Sequence, residues 1–120
     1  RQETNTPLQA LVLLNDPQMV EAARVAAVGE MIANPNAENE QIKTLFYKAT
    51  SRLPNEIETQ SLVDYYDEML AKVEKGEISA EEYLSIGRSQ VPTDMNKQKL
   101  VAMTLTAHTI LNLDETINRG

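Results

Sequence analysis

The sequence contains no cysteine and no tryptophan, and it has only one phenylalanine and four tyrosines among its 120 residues. Without cysteine, disulfides, thiolate metal sites, cysteine nucleophiles and C-x-x-C-H haem attachment are excluded within these residues. With so few aromatic rings, a hydrophobic core must be built from Leu, Ile, Val, Met and Ala. That mixture suits helices.

Basic residues are also scarce, because eleven Lys and Arg stand against eighteen Asp and Glu and the net charge is -7. Nucleic-acid backbones and anionic membranes both require a basic surface, so neither is an expected partner. The longest apolar run, Ala10 to Leu14, is far too short to span a bilayer, so no membrane insertion is expected. No signal peptide is visible and the first residue is Arg1, so we expect a piece of a larger multidomain protein.

No segment shows the period-two alternation of a strand, and no Asn-Gly or Asp-Gly hairpin is present. The sequence therefore predicts a single all-α domain over residues 1–120, a compact antiparallel bundle of five to six helices with short loops. Prolines, glycines and capping residues place the helices. Their predicted spans are about 7–14, 17–33, 38–51, from a cap at 55 to a stop at 76, from a cap at 79 to 86, and 94–112.

Apolar residues at helical spacing predict which faces are buried. The last predicted helix has a stripe so wide that more than one side must be covered, and the small residues of the second predict close packing against a neighbour. The predicted stripes are Val20, Ala23, Ala27 and Met31; Ile42, Leu45, Phe46, Ala49 and Leu53; Leu62, Tyr65, Tyr66, Met69 and Val73; and Leu100, Met103, Ala107 and Leu111, widened by Val101, Leu105 and Ile110.

The sequence offers little for catalysis or for metal and cofactor binding. His108 is the only histidine, and one histidine with carboxylates falls short of the usual zinc ligand set. We expect it to be a partly buried or surface helix residue. The acidic residues of the fourth and fifth helices flank apolar stripes and are expected to form solvated faces; they are Asp64, Asp67, Glu68, Glu81 and Glu82. No catalytic, metal-binding or cofactor-binding residue is therefore predicted.

Two segments near the ends of the chain are more distinctive. Thr6-Pro7 and Asp16-Pro17 each combine a helix cap with a proline at the first helical position. Between them, Ala10 to Leu14 is apolar on every side, so it either inserts between other helices or is covered by another part of the protein. Asp114 and Glu115 follow the predicted helix end, where they either cap a turn or pair with Arg119 or Arg1.

The same segments carry a resemblance to a known family. Residues 1–11, with Leu14-Asn15-Asp16-Pro17 and Glu21-Ala22-Ala23-Arg24, resemble a signature stretch of domain-of-unknown-function family 1553. Arg52-Leu53-Pro54 with Glu58, Leu84-Ser85-Ile86-Gly87, and the closing segment Leu111 to Arg119 are similar to later family elements. The family domain is the C-terminal domain of large planctomycete-type, cytochrome-associated proteins, and the chain resembles its C-terminal half.

The resemblance implies a large exported bacterial protein, hence a periplasmic or extracellular location, with haem in another domain and no cofactor in this part. Gene neighbours of such proteins are often sulfatase-like, which points to extracellular polysaccharide breakdown. No activity is established as a property of the family, so the resemblance supplies no catalytic residues.

Two interpretations remain open. In the first, the chain is a structural or interaction module whose end motifs approach each other and form a seam with other domains of the same polypeptide, or with a second copy through exposed apolar surface. In the second, polar residues of those motifs line part of a glycan-cleaving cleft completed by the rest of the protein. The candidate residues are Asn5, Thr6, Pro7, Gln9, Asn15, Asp16, Pro17, Asn112, Asp114, Glu115 and Arg119.

Overall fold

The computed structural model describes the backbone of residues 17–85 and 91–119 and the side chains of residues 18–85 and 91–113. This part of the chain contains five α-helices and no strand, which confirms the all-α prediction. The Cα radius of gyration is 13.5 Å, as expected for a compact chain of this length. The helices are α1 (Pro17–Ala33), α2 (Glu38–Thr50), α3 (Glu56–Glu74), α4 (Ala80–Leu84) and α5 (Lys97–Arg119).

Helix α5 lies at the centre of the bundle and packs against each of the other four helices. All residues from 100 to 108 are buried, so this stretch is covered on every side, as its wide stripe predicted. Two buried threonines fit there because Thr104 and Thr106 donate their hydroxyls to the carbonyl oxygens of Leu100 and Ala102, at 2.7 and 2.9 Å. The polar groups are thereby satisfied within the helix itself.

Helix α1 has the predicted bounds, and its main neighbour is α5. Val20, Ala23 and Ala27 are buried, as predicted, and the two alanines allow the helix axes to approach closely. At its end, the Asn34 amide donates to the Glu30 carbonyl at 2.8 Å. Asn36 then takes a positive φ of 60°, which asparagine tolerates better than most residues.

The corner between α2 and α3 is held by Arg52 and Glu58. Ser51 ends α2 in the left-handed conformation, with φ 66°. The Arg52 guanidinium then lies 4.9 Å from the centre of the Phe46 ring and donates two hydrogen bonds to the Glu58 carboxylate, at 2.9 and 2.8 Å. Glu58 and Asn55 also form a capping box at the start of α3, where the sequence predicts a cap. The Arg-x-Pro…Glu motif is therefore a structural clamp.

Gly76, at φ 84°, follows α3 and lets the chain reverse toward α4. Ser79 caps α4 by accepting a hydrogen bond from the Glu82 amide at 3.2 Å. The helix ends at Leu84, and Ile86 and Gly87, where it was expected to end, lie outside the described residues. Tyr83, which is buried, anchors this short helix in the core.

The last helix differs from the prediction at both ends. It begins at Lys97 rather than near Asp94, because the Asn96 side chain accepts a hydrogen bond from the Lys99 amide and caps it there. It continues to Arg119 instead of stopping at Asn112. No glycine or proline stands between Asn96 and Arg119 to end it, and acidic residues near a helix C-terminus oppose it only weakly.

Leu53, placed on the buried stripe of the third predicted helix, lies beyond the end of α2 and is 65% exposed. The expectation was wrong because Ser51 turns the chain before Leu53 can follow the helical period. The predicted helix at 7–14 lies outside the described residues.

The clamp predicts a specific response to acid. The Arg52 hydrogen bonds and the Asn55 backbone hydrogen bond lower the pKa of Glu58 from its usual 4.5 to about 2. A carboxyl group with a depressed folded-state pKa contributes stability above pH 4.5 that is lost as pH falls toward 2. We expect Glu58→Gln to lower the unfolding temperature at pH 7 and to flatten its decline between about pH 4.5 and 2, measured by circular dichroism.

Glu56→Gln is the matched control, since Glu56 is exposed in the same first turn of α3. Its pH profile should follow that of the unmodified protein. Identical profiles for the two variants would contradict the assigned role of Glu58.

Candidate interaction groove

Helix α1 carries two of its charged residues inward. Arg24 is only 1% exposed, and its Nη1 donates to the Leu84 carbonyl oxygen at 3.2 Å, which ties α1 to the end of α4. Glu30 is buried as well. Charged residues are seldom buried to this degree unless they are paired, so their engagement in the interior fixes the rotation of α1.

The opposite, outward face of α1 carries no charge. At 100° per residue, one arc of this helix gathers its exposed positions, and each of them is apolar or uncharged. Val25 and Ile32 are 55% and 64% exposed. We call this surface the α1 outer face; it consists of Gln18, Ala22, Val25, Gly29, Ile32 and Ala33. A solvent-facing helix surface normally carries charged or polar residues, so this one has the character of a covered surface.

Beside the α1 outer face lies an open groove of about 560 Å³ between α1, α2 and α5. Its wall on α5 is apolar and is formed by Ala107, Ile110 and Leu111. Gly29 lines it too, and a Cβ added there would meet no atom within 4 Å. The apolar wall and the open space at Gly29 together leave apolar surface uncovered beside an unfilled groove. In other proteins, exposed apolar surface of this kind is often covered by a binding partner.

An ion pair stands at one side of the groove. The Lys48 ammonium lies 2.7 Å from the Glu30 carboxylate, and the Asn34 amide approaches the other carboxylate oxygen at 3.5 Å. Glu30 is buried whereas Lys48 is largely exposed. The lysine therefore neutralises a carboxylate that would otherwise be buried with its charge uncompensated.

A second cavity of about 500 Å³ lies among the loops at 34–36 and 92–96. The lining of this cavity is more polar than that of the groove between α1, α2 and α5. Gln41 donates from Nε2 to the Asn34 carbonyl oxygen at 2.7 Å, and Lys99 lies 3.7 Å from Glu38. The first contact ties α2 to the loop at 34–36 and the second ties the start of α5 to the start of α2, so these residues have structural tasks.

His108 is buried on α5, more deeply than its sequence position predicted, with 8% of its surface exposed. In the tautomer protonated on Nε2, the Nδ1 atom of His108 accepts a hydrogen bond from the side-chain amide of Asn112, at 3.3 Å. No described residue partners the buried Nε2. Burial lowers the pKa of His108, so the neutral ring is favoured in the folded state.

Three tyrosines lie against the core. Burial raises the pKa of Tyr65, Tyr66 and Tyr83, so their hydroxyls stay protonated at neutral pH. A hydrogen bond with Thr109 partly opposes the shift at Tyr65. The tyrosines therefore join α3 and α4 to α5 as packing residues.

The structure places only some of the residues predicted for a site. Pro17 is the first residue of α1, and Asn112 lies on α5 beside His108. Asp114, Glu115 and Arg119 belong to the backbone of α5, so Asp114 and Glu115 do not follow a helix end. Asn5, Thr6, Pro7, Gln9, Asn15 and Asp16 lie outside the described residues, and the predicted approach of the two end motifs stays a prediction.

The groove residues Glu30 and Lys48 were not predicted from the sequence, and neither was the burial of Arg24. One signal was present, since Arg24 follows Val20 by four positions and so shares the buried side of α1. The acidic residues expected on solvated faces are exposed, as predicted: Asp64, Asp67, Glu68, Glu81 and Glu82.

Within residues 17–85 and 91–119, no cluster of three or more His, Asp or Glu side chains could hold a metal ion. The helices in those ranges are all too short or too polar to cross a membrane.

Comparison with known families identifies the chain. A family model described as Protein of unknown function (DUF1553) matches residues 1–66, which is more than half of the sequence. The chain belongs to this family. The family match covers α1, α2 and the first half of α3, including the Arg52–Glu58 clamp. Neither the curated proteins nor the solved structures yield a match.

The Glu30–Lys48 pair can be tested by a double-mutant cycle. We expect Lys48→Met to destabilise the fold by about 1 kcal/mol, because Lys48 is mostly exposed and the attraction is screened by solvent. The double variant Lys48→Met, Glu30→Gln should recover part of that loss, measured by urea unfolding at low salt. Lys43→Met is the control, since its exposed contact with Glu40 is 3.8 Å long. Additive effects of the two substitutions would contradict the coupling.

Burial of His108 predicts a second pH effect. The unfolded chain takes up the histidine proton near pH 6.5, whereas the folded chain does so only at lower pH. Stability should therefore be full above pH 6.5 and should decline as pH falls below it. In His108→Leu we expect that part of the decline to vanish between about pH 7.5 and 5.5, measured by urea unfolding at each pH. An unchanged decline in this variant would assign the effect to other groups.

Proposed function

We propose that this chain is a non-catalytic structural and interaction module of a large exported, cytochrome-associated bacterial protein, located in the periplasm or outside the cell. Its partners in this proposal are other domains of the same polypeptide, and any haem belongs to one of them. The observation that carries the proposal is the uncharged α1 outer face, which continues into an open apolar groove.

The reasoning starts from the rotation of α1. A helix that is apolar around most of its circumference is a buried helix in the complete protein. Arg24 and Glu30 are engaged in the interior and cannot turn outward to solvate the exposed side. The α1 outer face therefore stays apolar for as long as the bundle is folded, as a permanent docking surface requires.

The closing motif of the sequence lies next to this surface. Leu111, its first residue, lines the groove, and Leu113 is among the exposed large apolar residues. The segment from Leu111 to Arg119 then continues as the last turns of α5. This adjacency supports a seam that includes both the α1 outer face and the C-terminal motif.

An alternative proposal makes the chain part of an enzyme that acts on extracellular polysaccharide, with a cleft completed by the rest of the protein. It depends on Asn5, Gln9, Asn15, Asp16, Asp114 and Glu115. Among the described side chains, the charged residues nearest the groove, Glu30 and Lys48, are paired with each other. That pairing favours the module.

The proposal is tested by placing charge on the surface. We expect Val25→Glu with Ile32→Glu in the intact gene product to leave this bundle folded, since both side chains are exposed. The substitutions should also detach the bundle from its neighbouring domains. Hydrogen exchange of α1 and α5 measures the detachment, because a buried interface protects amides that detachment exposes.

Ile57→Glu is the matched control, since Ile57 lies on α3 and, at 79%, is the most exposed large apolar residue among the described side chains. It should leave exchange at α1 unchanged. Equal hydrogen exchange of α1 and α5 in the unmodified protein, the double variant and this control would overturn the proposed interaction module. A folded Asp114→Asn, Glu115→Gln variant that loses glycan turnover would support the enzyme instead.

A further inference from the structure

The open groove between α1, α2 and α5 has a shape and a charge that suit one kind of partner. We propose that it receives an amphipathic helix of another domain, with aliphatic side chains entering beside Gly29 and a carboxylate pairing with Lys48. This inference rests on the proposed function, because it takes the α1 outer face as a docking surface. It adds the chemical character of the element that docks there.

The walls of the groove favour a helical partner. Its lining residues belong to three helices and to Asn34, which follows α1, and the backbone N–H and C=O groups inside a helix are already bonded to each other. An extended segment buried there would lack backbone partners, and unpaired buried amide groups are costly. A helix satisfies those groups internally, so it can cover apolar side chains without that cost.

The wall on α1 has the spacing of helical turns. Val25, Gly29 and Ala33 line the groove at intervals of four residues, along about 12 Å of the helix. A partner helix presents its own apolar side chains at i, i+4 and i+7, over a similar length. Because a Cβ added at Gly29 would meet no atom within 4 Å, an aliphatic side chain of the partner has room there.

The charge at the groove selects an acidic partner. Glu30 and Lys48 are the charged residues among those that line it. The Glu30 side chain is 5% exposed and the Lys48 side chain 67% exposed, so the charge presented to an occupant is positive. An ammonium group has three protons to donate, and the 2.7 Å contact with Glu30 uses one. A carboxylate on the partner accepts another in a charge-assisted hydrogen bond.

A small apolar ligand and a second copy of the chain are the competing occupants. Small-molecule pockets enclose most of the ligand surface, whereas this groove is open and continues into the α1 outer face, where Val25 and Ile32 are exposed. In a two-fold symmetric dimer the same surface lies on both sides, so groove would meet groove and neither would be filled. Each copy also carries a net charge of -7, and the two copies repel each other.

Synthetic peptides test the preference on the 120-residue chain. The probes are three Ala-rich peptides of about 15 residues, the length at which isolated helices begin to form. Each has leucines at i, i+4 and i+7 and a terminal tryptophan, and the residues flanking the leucines are all Glu, all Gln or all Lys. Because the chain has no tryptophan, tryptophan fluorescence anisotropy reports binding of the peptide.

We expect the Glu peptide to bind about fivefold more tightly than the Gln peptide, and the Lys peptide to bind most weakly. The net charge of -7 opposes this order, so the overall charge of the chain cannot produce it. Lys48→Met should abolish the preference for Glu over Gln, whereas Lys43→Met should retain it. No binding of the Glu peptide, equal binding of the three peptides, or a preference for the Lys peptide overturns the inference.

A second pair of variants locates the binding. Gly29→Leu should weaken binding of the Glu peptide at least tenfold by filling the groove, and Ser61→Leu, on the exposed side of α3, should leave it unchanged. Both should keep the bundle folded, as checked by circular dichroism, because neither added side chain enters the core. Equal affinities of these two variants for the Glu peptide overturn the location.

Cross-linking tests the same contact in the intact gene product. A carbodiimide joins a lysine directly to a carboxylate that touches it, and mass spectrometry identifies the two residues. We expect Lys48 to be joined to an Asp or Glu outside residues 1–120; links from Lys48 only to Glu30 or to other carboxylates of these residues overturn the inference. The proposed function fails separately, if the glutamate pair at Val25 and Ile32 leaves hydrogen exchange unchanged. Exchange that responds to this pair, with no outside link at Lys48, keeps the docking surface and removes the acidic helix.

Discussion

The complete burial of the middle of α5 is the constraint on which the rest of the fold depends. A helix covered on all sides cannot be stable unless every other element contributes part of its cover, and α1, α2, α3 and α4 all pack against it. Its buried threonines are satisfied within the helix by back-bonding, and Asn112 partners one of the two ring nitrogens of His108. At about 34 Å, it runs the length of a molecule whose longest dimension is 35 Å.

This arrangement explains why α1 carries charge on the inside. The side of α1 that meets α5 needs small residues for close approach, and Ala23 and Ala27 provide them. The flanks of that contact leave space that larger polar side chains fill. Arg24 extends to the Leu84 carbonyl, and Glu30 meets Lys48 at the edge of α2. With Arg24 and Glu30 engaged inside and Glu21 half-buried, none of the exposed positions of α1 is charged.

The features predictable from the sequence were those set by local chemistry. Pro17 opens α1, Asn55 with Glu58 caps α3, and the period of apolar residues assigns most of the core. The features that were missed depend on contacts between distant parts of the chain. The burial of Arg24 depends on Leu84, sixty positions away. The groove depends on how three helices meet, and no periodicity within one helix contains that information.

The end of α5 was missed for a different reason. The acidic residues after Asn112 favour a helix end there, but a helix with neither glycine nor proline to stop it extends through mildly unfavourable charges. Local preferences of a few tenths of a kcal/mol decide a boundary only where stronger effects are absent. Local preferences alone also do not assign a role to the two end motifs, because their polar residues suit helix caps, interfaces and clefts equally well.

The small residues on the outside of α1 also bear on how this sequence can change over generations. Exposed helix positions usually accept many substitutions, because solvent accommodates almost any side chain. A docked partner would remove that freedom at Ala22 and Gly29, where any larger side chain would press a second helix away. Surface positions would then be restricted as tightly as the interior, and Arg24, although buried, would be the side chain that keeps the helix turned the right way.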